Sequence, residues 1–257
     1  MGINSKNSRE IQTKRKSTSK LDSLAEKFFI KAEKLRNKYK YKESVENYLN
    51  SILIDRNNSV SYLGIAISYK NLKNYQKAII NLKKAELLNP DNANIQKELA
   101  MCNIINGDFE NGIKYLIKAI TLEPDNIDVQ MQLALVHEMI EEEQMALMIY
   151  QKIIETNPEY LRAYIQKATL YMHLGDYVNS AFIFKKIIKI KPCYYRALLA
   201  LGICFEKLSN MQAAVRYYKK YLKTNPLADN FFDIKYRIKE YNSTRKRNIN
   251  NLKIINI

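Results

Sequence analysis

Small and large apolar side chains recur among polar ones along this chain in a pattern with a period of 34 residues. Set in register, the pattern tiles residues 25–58, 59–92, 93–126, 127–160, 161–194 and 195–228 without a gap. Position 8 of each unit reads Ala32, Ala66, Ala100, Ala134, Ala168 and Gly202, and position 20 reads Ser44, Ala78, Gly112, Ala146, Ser180 and Ala214. Small side chains at two fixed places allow two helices to approach closely. Position 24 is always large: Tyr48, Leu82, Leu116, Tyr150, Phe184, Tyr218. Position 11 is mostly large and includes Tyr69, Tyr171 and Phe205. The spacing predicts, in each unit, a helix of about 14 residues, a turn near positions 15–16, and a second helix of similar length. Gly107–Asp108 and Gly175–Asp176 are the clearest turn signals.

The helix stop is equally periodic. Pro90, Pro124, Pro158, Pro192 and Pro226 are the chain's five prolines, and each occupies position 32; only the first unit departs, with Arg56 there. These columns, best seen in SYLGIAISYKNLKNYQKAIINLKKAELLNPDN (61–92) and ALLALGICFEKLSNMQAAVRYYKKYLKTNP (197–226), resemble the tetratricopeptide repeat (TPR). The resemblance covers residues 25–228. It implies an all-α fold, a right-handed superhelical solenoid of six 34-residue helix-turn-helix repeats, with neighbouring repeats stacked and the ends capped. Local departures are Lys31 at position 7 of the first unit, Glu143 where an aromatic is usual, and Ile187 and Tyr221 where a small residue is usual.

Beyond the repeats, Phe231, Ile234, Ile238 and Tyr241 fall at spacings of 3, 4 and 3, one apolar face with a polar back. A capping helix is therefore expected over 229–242. Residues 243–257 form a basic and apolar tail without a readable structure. Residues 1–24 are basic, and residues 1–20 are polar enough to be expected disordered.

In TPR proteins the first helix of each unit lines the concave surface through positions 2, 5, 6, 9, 12 and 13. Under that resemblance, nine of the twelve residues at positions 5 and 9 are apolar. First helices such as IDVQMQLALVHEMI and YRALLALGICFEKL are apolar nearly all round, so they are either buried or covered by something else. Exposed apolar area of this kind marks a binding site. The expected contact residues are Leu63, Ile67, Met101, Met131, Leu135, Ile165, Leu199 and Ile203, with Lys97, Glu138, Arg162 and Arg196 setting orientation. The Lys/Asn/Arg clamp by which some TPR domains hold a peptide carboxylate is not matched. Its nearest counterparts are Lys97, Met101, Gln132, Arg162 and Gln166, without the asparagines or the last arginine.

Charge qualifies this picture. The chain carries a net +16, as 32 Lys and 10 Arg against 26 acids. The six units carry +3, +3, −2, −6, +5 and +5 in order, so an acidic unit interrupts any continuous phosphate track. Chemistry is sparse. His137 occupies a packing column and reads as a core histidine, and His173 as a solvated groove residue. Cys102 and Cys204 read as buried fillers too far apart to bridge. No phosphate loop, nucleophile elbow or zinc motif occurs, so no catalytic residue, metal or cofactor is expected. No apolar run is long enough to span a membrane, and the start carries neither a secretory pattern nor, with Lys6 in place of Ser or Thr, a myristoylation motif. An odd cysteine count without paired spacing fits a cytoplasmic protein. The expectation is a non-enzymatic adaptor whose partner is a protein or peptide. Self-association through the tail and binding of RNA or an anionic surface by the basic ends are the alternatives.

Overall fold

The structure, a computed structural model, describes residues 21–255, with side chains through Arg245. The expectation of disorder for residues 1–20 lies outside the described residues, as do the last two residues of the tail. Among the described residues the chain is all helix, in two compact units, one ending at Val136 and one beginning at His137. The first unit holds α1 (residues 21–37), α2 (Tyr41–Ile54), α3 (Ser59–Asn71), α4 (Tyr75–Leu88), α5 (Ala93–Ile105), α6 (Phe109–Leu122) and most of α7 (Ile127–Met139). The second holds α8 (Glu143–Thr156), α9 (Leu161–His173), α10 (Tyr177–Ile190), α11 (Tyr195–Lys207), α12 (Met211–Thr224) and α13 (Phe231–Ile255). From α3 to α12 each helix falls at positions 1–13 or 17–30 of the 34-residue period. α1 starts four residues before the first tiled unit.

One hairpin geometry recurs in all six repeats. Position 15 is left-handed in each: Tyr39, Lys73, Gly107, Glu141, Gly175 and Ser209 have φ between 59° and 85°. The amide of position 16 then reaches back to the carbonyl of position 11, as in Asn74 to Tyr69, Asp108 to Asn103 and Asn210 to Phe205. The amide of position 15 bonds the carbonyl of position 12. This pair of bonds satisfies the last carbonyls of the first helix and turns the chain. The second helix is then capped by the side chain at position 16 where that is Asn or Asp: Asn74, Asp108, Asp176 and Asn210 each accept from an amide of the first turn. At the far end, position 31 leaves the helix in an extended conformation, which a following proline enforces. Asp55 adopts it as well, although Arg56 replaces proline there.

The seam columns are buried. The alanines at position 8 are at most 1% exposed, and every position-24 side chain at most 4%. Gly202 shows why this column stays small: a Cβ built there would lie 2.3 Å from the Tyr218 ring. In the first unit the core runs through Leu82, Ile95, Leu99 and Leu116, with Tyr48 and Ile65 packed nearer the start. In the second it runs through Phe184, Ile187 and Leu201 and then to a cluster of Leu198, Val215, Tyr218, Tyr221, Ile234 and Ile238. The last two residues belong to α13, and Tyr241 packs against the same cluster. α13 thus closes the open side of α12, and its backbone continues helically through the stretch that the sequence left unread. Tyr221, large where a small residue is usual, donates its hydroxyl to Asn230 (2.7 Å) just ahead of α13.

Candidate functional site

From the second repeat onward the first helices bury positions 3, 8 and 10 and leave positions 2, 5, 9, 12 and 13 more open, with Met131 and Ile104 as buried exceptions; in the first repeat Lys27 and Lys34 keep positions 3 and 10 exposed. This follows from helical geometry: residues three and four apart share a face, so a seam built on one stripe leaves the opposite stripe free. In the first unit Leu63, Ile67, Lys97, Met101 and Leu135 are half-buried. Met131 differs, being 1% exposed. It lies on α7, which buries Val129, Ala134 and Val136 as well, and a helix apolar nearly all round gives periodicity little means of telling its two faces apart. In the second unit Glu138, Ile165, Leu199 and Ile203 are half-buried, while Arg162 and Arg196 are exposed. Met139 is exposed and Met172 half-buried.

Ion pairs made by position-12 residues tie α3 to α5 and α11 to α13. Lys70 on α3 pairs with Glu98 on α5. Glu206 on α11 receives Arg237 of α13, whose Nη1 lies 2.8 Å from each carboxylate oxygen. The same carboxylate accepts from the Tyr218 hydroxyl. That arrangement recurs: Tyr150 donates to Glu138, and Tyr48 donates to Glu33 while Arg36 bridges both. In each case a buried position-24 ring sends its phenol outward to a carboxylate on the first helix. Burial, and then the bond to the carboxylate, hold all three phenols protonated well above the usual tyrosine range. Sequence reading passed over this network, although a tyrosine at position 24 paired with a glutamate at position 12 is visible in the fourth and sixth units.

α11 and α13 enclose a hollow of about 390 Å³. Its floor is Leu199, Ile203 and Ile234, and its rim is Glu206, Lys207, Asp233 and Arg237. Leu199 and Ile203 are thus brought together with polar groups that can orient a ligand. The contribution of α13 could not be anticipated from the repeat columns.

His137 is buried, with Nδ1 2.6 Å from Glu142, and His173 is exposed. Cys102 and Cys204 are buried and free, and Cys193 is exposed. Burial pushes the Cys102 thiol up to about 11, so it is unreactive at neutral pH. Among the described residues, no cluster of three or more His, Cys, Asp or Glu could hold a metal ion. No helix there is long and apolar enough to cross a membrane.

Two-helix repeats sharing one hairpin, one small-residue seam and a capping helix define a helical-repeat scaffold. Tetratricopeptide repeat profiles match residues 60–92, 98–126 and 161–192, and a second such profile matches 196–228. The chain belongs to the tetratricopeptide repeat family, and its repeats make it a protein-interaction scaffold. The matched stretches fall on units two, three, five and six; unit one lacks its proline and unit four carries Glu143 in an aromatic column. Among solved structures, the chain is similar to the C-terminal part of a TPR repeat-containing protein from Cytophaga hutchinsonii, with TM-score 0.73 and 18% identity over 83% of this chain and 85% of that one. It is also similar to YrrB, described as a TPR protein with an unusual peptide-binding site, with TM-score 0.58 and 17% identity over 75% and 99%. Residues 41 to the end of MamA from Desulfovibrio magneticus RS-1 give TM-score 0.57 and 15% identity over 66% and 97%. At these identities the likeness is one of fold. No curated protein matches the sequence.

Proposed function

We propose that the protein is an adaptor that seats an extended or helical apolar segment of a partner protein against its first-helix faces. The observation that carries this reading is the half-open state of Leu199 and Ile203 in the hollow beside α13. Leu63, Ile67, Met101, Leu135 and Ile165 share their register and their partial exposure. Apolar burial supplies affinity, while Lys97, Glu138, Arg162 and Arg196 set the direction of the bound segment. Met131 contributes packing to this reading rather than contact. The test is affinity capture from the native cell with quantitative mass spectrometry, comparing wild type with Leu199→Asp/Ile203→Asp. The expected result is loss of specific partners with helicity by circular dichroism retained. An unchanged capture profile from a folded variant would rule the reading out.

Self-association is the second reading, favoured by the length of α13. Its backbone stays helical to Ile255, and Ile249, Leu252 and Ile255 continue the three- and four-residue register of Ile234, Ile238 and Tyr241. Deleting residues 243–257 and measuring mass by light scattering tests it: the reading requires fewer copies per particle than the full chain forms, and a monomer before and after deletion would remove it.

A further inference from the structure

The second unit carries another concavity, on the side of its second helices. A hollow of about 760 Å³ is lined by Met145, Met148, Gln151 and Lys152 of α8 and by Lys167 and Tyr171 of α9. A smaller one of about 150 Å³ shares Gln151, Lys167 and Tyr171 and adds Phe182 and Lys186 of α10. Neither includes Arg162, Ile165 or Thr169, so α9 turns one face to these hollows and another to the proposed groove.

Two features of this surface are unaccounted for by the fold. Met148 is 65% exposed and Phe182 57%, at position 22 of consecutive repeats. The same position holds Glu46, Lys114 and Arg216 in the first, third and sixth repeats and Ile80, 56% exposed, in the second; only repeats four and five place two large apolar groups at this position in consecutive repeats. Large apolar groups side by side in water mark a surface that is covered in use. The second feature is uncompensated charge. Lys167 donates to the neutral Gln151 Oε1 at 2.7 Å. Lys186 lies over the Phe182 ring, 4.7 Å from its centroid. Among the described residues neither lysine forms an ion pair. Burial, followed by the charge of Lys186, lowers the Lys167 pKa, and Glu155 only partly opposes them. The titratable groups lining the two hollows are Lys152, Lys167 and Lys186 against Glu155, with the phenols of Tyr164 and Tyr171.

We propose that this face of α8, α9 and α10 docks an acidic amphipathic segment of a partner protein, with its apolar side chains lodged between Met148 and Phe182 and its carboxylates on Lys167 and Lys186. Charge complementarity selects acid, since a carboxylate would restore the balance that Gln151 cannot. The methionine floor selects a polypeptide with aliphatic or aromatic anchors, for which an adaptable thioether surface is suited. A nucleic-acid backbone fits poorly, because Glu155 lies on the rim and Glu141, Glu142 and Glu143 open the same α8 hairpin.

The experiment pans a random-peptide library over the full chain and measures enriched peptides by fluorescence anisotropy. The targets are wild type, Lys167→Gln/Lys186→Gln, Met148→Ser/Phe182→Ser and Leu199→Asp/Ile203→Asp, each first checked for helicity. The altered residues of the second pair are solvent-exposed, so that variant should fold. Support consists of peptides with acids beside an apolar anchor that weaken about tenfold or more on each of the first two variants and hold on the third. Their affinity must also fall as salt rises from about 0.05 to 0.5 M. No enrichment, enriched peptides without acids, or acidic peptides that ignore both variants overturn the proposal. Peptides lost only on Leu199→Asp/Ile203→Asp also overturn it, while supporting the groove on the first helices.

Discussion

Position 15 concentrates backbone strain in single residues. Gly107 and Gly175 adopt their left-handed φ freely, whereas Tyr39, Lys73, Glu141 and Ser209 hold it with a Cβ attached. We expect Lys73→Gly and Ser209→Gly each to stabilise the fold by about 0.5–1 kcal/mol in urea denaturation, a gain reduced from the full steric cost by glycine's greater freedom when unfolded. Gly202 has the opposite sensitivity. Gly202→Ala drives a methyl into the Tyr218 ring, for an expected cost of about 1–3 kcal/mol. Adding Tyr218→Leu should recover part of it, because it removes the ring that the methyl meets, at the loss of the bond to Glu206; alanine at position 8 is paired with leucine at position 24 in repeats two and three and with a tyrosine in repeats one and four. A double mutant no better than Gly202→Ala alone would show that the ring is not the obstacle. The glycine turns are legible in sequence because glycine advertises a positive φ. Tyr39, Lys73, Glu141 and Ser209 carry no local signal, and only the period places them in the same conformation.

Among the helices, the feature with the widest consequence is the buried phenol answering a surface carboxylate in repeats one, four and six. Unfolded tyrosines lose their proton near pH 10, while Tyr48, Tyr150 and Tyr218 keep theirs to higher pH. Above about pH 10 the folded state therefore binds more protons than the unfolded one, so stability contributed by these groups is intact below that pH and declines above it. Guanidinium midpoints measured from pH 8 to 11 should fall above about pH 10, and the fall should be shallower in Tyr48→Phe/Tyr150→Phe/Tyr218→Phe. Helix boundaries were readable because small, large and proline columns each repeat six-fold or nearly so. The candidate groove was readable only in part. Leu63, Ile67, Leu199 and Ile203 are half-open, as the family resemblance implied, but Met131 is sealed, since α7 is apolar nearly all round. The polar network escaped notice because its partners come from two columns that hold other residues in half of the repeats.

Across the molecule, the charge is segregated. Repeat four carries −6, and repeats five and six carry +5 each with further lysines and arginines on α13. Like charges stacked along neighbouring repeats repel within a Debye length, so added salt relieves the second unit more than the first. We expect hydrogen exchange in α10 to α12 to slow as sodium chloride rises from about 0.05 to 0.5 M, with little change in α3 to α6. Equal slowing in both units would point instead to a general salting effect. The six hairpin tips carry a further implication. Their path is drawn by main-chain bonds from positions 15 and 16, and a Cβ added at Gly107 or Gly175 would meet nothing within 4 Å. Fluorophores, epitope tags or short inserted loops at these corners should leave the helices of each unit undisturbed, giving attachment points every 34 residues along the sequence from which a docked chain could be mapped by energy transfer.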